Sequence, residues 1–151
     1  MHAQIRASPD DTATNMRTVV DALAGDKINI EAIAPDFESP HVRVLVQHQD
    51  PFEAENADDP FNRAIAALTA KGLTPEPHSA TTAMLPNDPG ALQKAIEVIE
   101  ADGKTVEAIL VMPGSPETGK ANVSFGVGPS PIPDWDEDAA KRLAALIEAA
   151  F

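Results

Sequence analysis

The sequence has no cysteine, which excludes disulfides and thiolate metal sites and leaves the redox compartment open. Long apolar runs are missing too: none approaches the roughly 20 residues that span a bilayer. The opening stretch MHAQIRASPDD lacks the apolar segment of a secretory leader, so none is expected and the default location is cytoplasmic. Positive charge is scarce, with 11 Lys and Arg against 24 Asp and Glu and a net charge of −13. Such a surface repels phosphate backbones, which argues against nucleic acid as a partner. The acidic residues are spread along the chain, densest at Glu53, Glu55, Asp58 and Asp59, as on a solvated surface.

What is present is repetition. A chain of 151 residues with 43% hydrophobic content can form one domain or two small ones. Asn29-Ile30-Glu31-Ala32-Ile33 matches Thr105-Val106-Glu107-Ala108-Ile109, 76 residues later. At the same offset Met16, Val19, Val20 and Leu23 fall on Leu92, Ala95, Ile96 and Ile99. Both quartets follow the i, i+3, i+4, i+7 spacing of one helical stripe. Ile65-Ala66-Ala67-Leu68 resembles Leu143-Ala144-Ala145-Leu146 further on. The order of the matches is kept, so the chain reads as two modules, residues 1–79 and 80–151.

Each copy parses in the same way. A short strand (about 3–7, and 81–85) precedes a helix (about 11–24, and 88–102) that closes at Gly25 or Gly103. Two strands follow, about 28–34 with 42–48, and 105–112 with 121–127. In the later one Val42, Val44, Val46 and Val123, Phe125, Val127 alternate with polar or small residues, which predicts one buried and one wetter face. Second helices are expected near 60–71, with Asp59 as cap and Pro60 in the first turn, and near 136–149, with Asp134 and Glu137 spaced for a capping box. A fourth strand is possible at 73–78, where Pro75 and Pro77 suit an edge or a linker. The second copy stops at Phe151, so no fourth strand is expected to complete it. The fold class is α/β of the ferredoxin-like kind: tandem βαββα(β) modules with antiparallel sheets and helices on one face. Open sheet edges predict pairing of sheets or a homodimer.

One local feature asks for an explanation. The second copy's first helix opens on Asn87-Asp88-Pro89-Gly90. Asp88 reads as N-cap and Pro89 as the first helical residue. Gly90 costs stability in a first turn, so close approach of a backbone or small ligand is a reason for it. Bare N–H groups and the positive end of the helix dipole favour a carboxylate at such a place.

These residues carry a family resemblance. PNDPGALQKAIEVIEADGKTVEAI is similar to the ACT domain, a βαββαβ regulatory module that binds amino acids in many metabolic enzymes. The shared features are a strand, a D-P-G turn, a Leu second after the glycine (Leu92) and an apolar strand after a glycine-containing turn. The whole chain resembles stand-alone tandem ACT proteins. The resemblance implies a regulatory, non-enzymatic protein that binds a free amino acid, needs no cofactor, forms a homodimer and modulates a metabolic enzyme. It also implies the ligand-binding positions: Asn87, Asp88, Gly90 and Ala91 from the turn of the second copy, with Asn29 and Ile30 at a strand start of the first. At the corresponding turn the first copy has Pro9-Asp10-Asp11-Thr12-Ala13, without the glycine and with an extra carboxylate. The competing reading is a ligand-free oligomerisation or protein-interaction module on the same fold.

Other motifs point to no chemistry. Gly114 to Lys120 spells G-x-x-x-x-G-K, but Ala121 replaces the hydroxyl residue that would hold magnesium, and the next residues alternate as a strand. It reads as a β–β connection. His41 and His48 fall on opposite faces of a strand, and His2 and His78 lie near ends or linkers, so no metal site is expected. Asp10-Asp11 and Asp58-Asp59 read as caps and turns, and no catalytic residues are assigned. Trp135 is expected to staple the start of the last helix.

Overall fold

The computed structural model describes residues 3–9, 16–35, 41–46, 56–112, 114, 117–129 and 132–151. His2, Asp10 to Ala13, His48, Glu53 and Glu55 therefore lie outside the described residues. The elements in chain order are β1 (Ala3–Pro9), α1 (Met16–Gly25), β2 (Ile30–Pro35), β3 (Val42–Val46) and α2 (Pro60–Ala70), then β4 (Leu73–Pro86), α3 (Ala91–Ala101), β5 (Thr105–Val111), β6 (Lys120–Gly128) and α4 (Glu137–Ala149). They fall into two compact units, Gln4–Pro77 and His78–Phe151 with Ala3. Strand order is β2-β3-β1-β4 in the N-terminal unit and β4-β6-β5 in the C-terminal one. The β1–β3, β2–β3, β4–β6 and β5–β6 ladders are all antiparallel. This is an ACT-like fold of the ferredoxin type.

In the C-terminal unit Leu85, Val123 and Phe125 of the sheet share one buried cluster with Ala95 and Ile99 of α3 and with Leu143 and Ile147 of α4. Both helices therefore cover one face. Their buried positions repeat at three- and four-residue intervals, the stripe that a helix offers to a sheet. In the N-terminal unit Ile5, Val19, Leu23, Val44, Ala64 and Leu68 are fully buried.

The duplication extends to hydrogen bonds. After α1 the amide of Ile28 donates to the Leu23 carbonyl and that of Lys27 to Ala24. After α3 Lys104 donates to Ile99 and Gly103 to Glu100, the same paired closure. Each β-bulge falls at a corresponding glutamate, Glu31 in β2 and Glu107 in β5. Ile5 pairs with Val44 as Thr81 pairs with Phe125. All these correspondences outside β3 and β6 keep the offset of 76.

Several expectations are corrected. Gly25 is the last residue of α1 and does not take the left-handed conformation; Lys27 does, at φ 56°, because the offset sets Lys27 and not Gly25 opposite Gly103. The second-helix match is one residue out of step. It aligns Leu68 with Leu146, which is 50% exposed, whereas the buried positions Phe61, Ala64 and Leu68 share their spacing with Ala140, Leu143 and Ile147. Asp134 does not cap α4. It sits at φ 57°, and Asp136 is the N-cap, its carboxylate accepting from the Ala139 amide at 2.7 Å. The segments expected at 73–78 and 81–85 are one 14-residue strand. Its pairing with β6 begins only at Ala80, so Pro75 and Pro77 interrupt no bond of that ladder. β3 has no wetter face: Arg43 and Leu45 are as buried as the valines between them. In β6 the face opposite Val123 is exposed at Asn122 and buried at Ser124, so the alternation marks water only at the start of that strand.

Candidate functional site

The turn before α3 is built by two residues with opposite backbone needs. Pro89 fixes a negative φ, and Gly90 follows at φ 85°, ψ −5°. The Ala91 amide donates to the Asp88 carbonyl at 3.2 Å. Pro at the second and a left-handed Gly at the third position define a type II turn. This answers why a glycine stands there. Among the described residues nothing beyond its adjoining backbone lies within 4 Å of where a Cβ on Gly90 would be, so backbone conformation, not a neighbour's approach, requires it.

The turn also moves the cap. Asp88 is not the N-cap; Gly90 is, and it offers no side-chain hydrogen bond. Helical bonding starts with the Lys94 amide donating to the Gly90 carbonyl at 3.0 Å. The amides of Leu92 and Gln93 are left with no backbone acceptor among the described residues. The other described helix starts differ. Asp59 caps α2 by accepting from Phe61 at 2.8 Å, and Asp136 caps α4. Asn87, Asp88 and Gly90 are exposed, Ala91 is buried, and the Asn87 amide is held by the Gly119 carbonyl at 2.9 Å. Four of the six expected site residues thus share one turn. The other two, in the N-terminal unit, stand where β2 begins: Asn29 is exposed just before the strand, and Ile30 is its first residue and half-buried.

One polar group was not foreseen. His78, expected near a linker, is 9% exposed inside β4, with Nδ1 3.5 Å from Oε2 of the bulged Glu107. A methyl group at Gly128 would collide with the Glu107 carboxylate, so the glycine leaves room for that group. The only signal for it in the sequence is the repeated glutamate. The G-x-x-x-x-G-K stretch joins β5 to β6, and Lys120 opens a strand rather than a helix. Among the described residues no group of three His, Cys, Asp or Glu could hold a metal ion, and no helix is long and apolar enough to cross a membrane.

No protein-family model matches the chain, and no curated protein sequence matches it. Among solved structures it is similar to protein BT0572 from Bacteroides thetaiotaomicron, with a TM-score of 0.62 and 19% identity over 94% of this chain and 85% of that one. It is also similar to the regulatory subunit of aspartate kinase from Thermus thermophilus in its ligand-free form, with a TM-score of 0.57 and 17% identity over 99% of this chain and 93% of that one. At these identities the likeness is one of fold.

Proposed function

We infer that the chain is a regulatory protein that binds a free amino acid and passes its occupancy to a metabolic enzyme, with no catalytic step of its own. The observation that carries this reading is the uncapped start of α3, where the amides of Leu92 and Gln93 lack the aspartate that closes α2 and α4. A ligand carboxylate would supply the missing acceptor, favoured by the helix dipole. Asn87 and Asp88, both exposed, would meet the ammonium, and Ala91 would add little bulk beside it. Asn29 and Ile30 are the proposed contribution of the N-terminal unit, in a homodimer. Likeness of fold to a protein described as a regulatory subunit supports the regulatory role. Binding shifts a partner only through unequal affinity for two arrangements.

A thermal-shift screen of the standard amino acids is the test. One or a few should raise Tm, as any ligand selective for the folded state must. Gly90→Asn keeps a residue tolerant of positive φ and sets a side chain over the open amides. Together with Asn87→Ala it should weaken calorimetric affinity by about tenfold or more, a loss of about 1.4 kcal/mol. Unchanged affinity in a variant of normal Tm sinks the site.

A second reading rests on a different observation. Met84, Leu92, Val111, Leu146 and Phe151 are all at least 40% exposed, and all lie in the C-terminal unit. Such a surface also suits a ligand-free interaction module. Light scattering on Leu92→Ser and Val111→Ser variants would then show a smaller assembly, with no amino acid changing Tm.

A further inference from the structure

A cavity of about 380 Å³ opens in the C-terminal unit, between the turn that closes α3 and the first turns of α4. That volume falls within the range of small-molecule pockets, about 300–1,000 Å³. It lies at the far end of α3 from Gly90, about 16 Å along the axis of an 11-residue helix. It is therefore a second place, independent of the turn proposed above.

The charges of its lining are unequally committed. Lys104 is occupied: its ammonium meets the Asp102 carboxylate and stands 5.9 Å from the Trp135 ring centroid. Arg142 and Asp134 line the same cavity, and their side chains make no hydrogen bond or ion pair among the described residues. Asp134 is held there by a left-handed backbone at φ 57°. Leu146, four residues after Arg142 and so its neighbour along one helix face, is 50% exposed. The cavity combines an uncommitted cation, an uncommitted anion, an indole and an uncovered apolar side chain.

We propose that this cavity binds a small zwitterion with a flat apolar body. A simple anion would satisfy Arg142 and be repelled by Asp134, and a simple cation would do the reverse. A molecule that carries both charges satisfies both. Its carboxylate takes the paired N–H groups of the Arg142 guanidinium, and its ammonium faces Asp134. Its apolar body rests against Leu146 and Trp135, where a ring gains more than its buried area.

Trp135 is the only tryptophan, so tryptophan emission reports on this cavity alone. The probe is L-phenylalanine, which does not absorb where tryptophan is excited. Its two half-molecules, hydrocinnamate and phenethylamine, each keep the ring and one charge. L-phenylalanine should change the emission saturably, and each half-molecule should bind about tenfold more weakly, the effect of about 1.4 kcal/mol for one lost charge pair. Arg142→Gln should weaken L-phenylalanine to a similar degree. So should Asp134→Asn, which keeps a residue that tolerates the left-handed turn. Asn87→Ala and Gly90→Asn should leave the response unchanged, which separates this site from the turn before α3. Circular dichroism and an unaltered Tm verify that each variant is folded. The proposal is overturned if L-phenylalanine gives no saturable change, if the half-molecules bind as well as the whole, or if the Arg142 and Asp134 variants respond like the unmodified protein.

Discussion

At the end of α1 the left-handed residue is Lys27, and at the end of α3 it is Gly103, yet the hydrogen bonds around the two are the same pair. At the first strand of each unit Ile5 is fully buried where its counterpart Thr81 is fully buried too, and Thr81 donates its hydroxyl to the Ala140 carbonyl at 2.7 Å. In β2 the bulged Glu31 is exposed, whereas in β5 the bulged Glu107 is half-buried beside His78. The two units share a backbone frame and differ in what the frame holds. The frame is set by chain geometry: helix closures, bulges and register. The buried Thr81 and His78 and the half-buried Glu107 of the C-terminal unit are additions to it: the Thr81 hydroxyl has the Ala140 carbonyl as acceptor, and the His78 ring stands against the Glu107 carboxylate.

Core substitutions test the shared frame with the largest effects. Phe125 and its counterpart Val44 are both fully buried. Phe125→Ala should cost about 3–5 kcal/mol, by lost transfer energy and the cavity left behind. Val44→Ala removes much less volume and should cost about 2 kcal/mol. Urea denaturation gives both values. Equal losses would mean that the two cores do not collapse around these positions in the comparable way their registers imply.

The buried threonine sharpens the comparison at the next level down. Ile5→Thr puts a hydroxyl where the N-terminal unit has an isoleucine, at a cost of about 2–3 kcal/mol if the group finds no acceptor. Thr81→Val removes a made hydrogen bond and should cost about 1 kcal/mol, since the Ala140 carbonyl still belongs to a helix. If Ile5→Thr costs no more than Thr81→Val, the N-terminal unit also offers an acceptor there, and the distinction between the two strands disappears.

How much of this was legible in the sequence follows from the same contrast. The offset of 76 was readable because helical stripes and strand starts leave periodic apolar signals. The Asp59-Pro60 cap was readable because both residues favour that position independently. Helix closure was misread at Gly25, because composition marks where a left-handed residue is cheap, and geometry decides where one is needed. The cap before α3 was misplaced because Pro89-Gly90 also specifies a type II turn, and the turn took the aspartate out of reach. His78 was missed because two prolines nearby signal a linker, while a strand tolerates them where no ladder bond is broken. The cavity beside Trp135 was invisible because its lining comes from residues some forty positions apart, on either side of a hairpin.

The smallest expected effects are also the ones that differ in sign. Gly103 stands at φ 80° with no described atom beyond its adjoining backbone within 4 Å of an added Cβ, so Gly103→Ala meets only the backbone penalty, and stability should fall by about 1 kcal/mol. Lys27 already bears that penalty at φ 56°. Lys27→Gly should relieve about 1–2 kcal/mol of left-handed cost and return about 0.5–1 kcal/mol through the greater freedom of glycine in the unfolded chain. The lysine is exposed, so little packing is lost with its side chain. The net is a gain of about 0.5 kcal/mol, visible as a higher urea midpoint with an unchanged slope. A shared closure requires opposite signs for the two substitutions. If Lys27→Gly destabilises the protein as Gly103→Ala does, the ends of α1 and α3 are held by different means, and their matching hydrogen bonds are not the reason the duplicated frame persists.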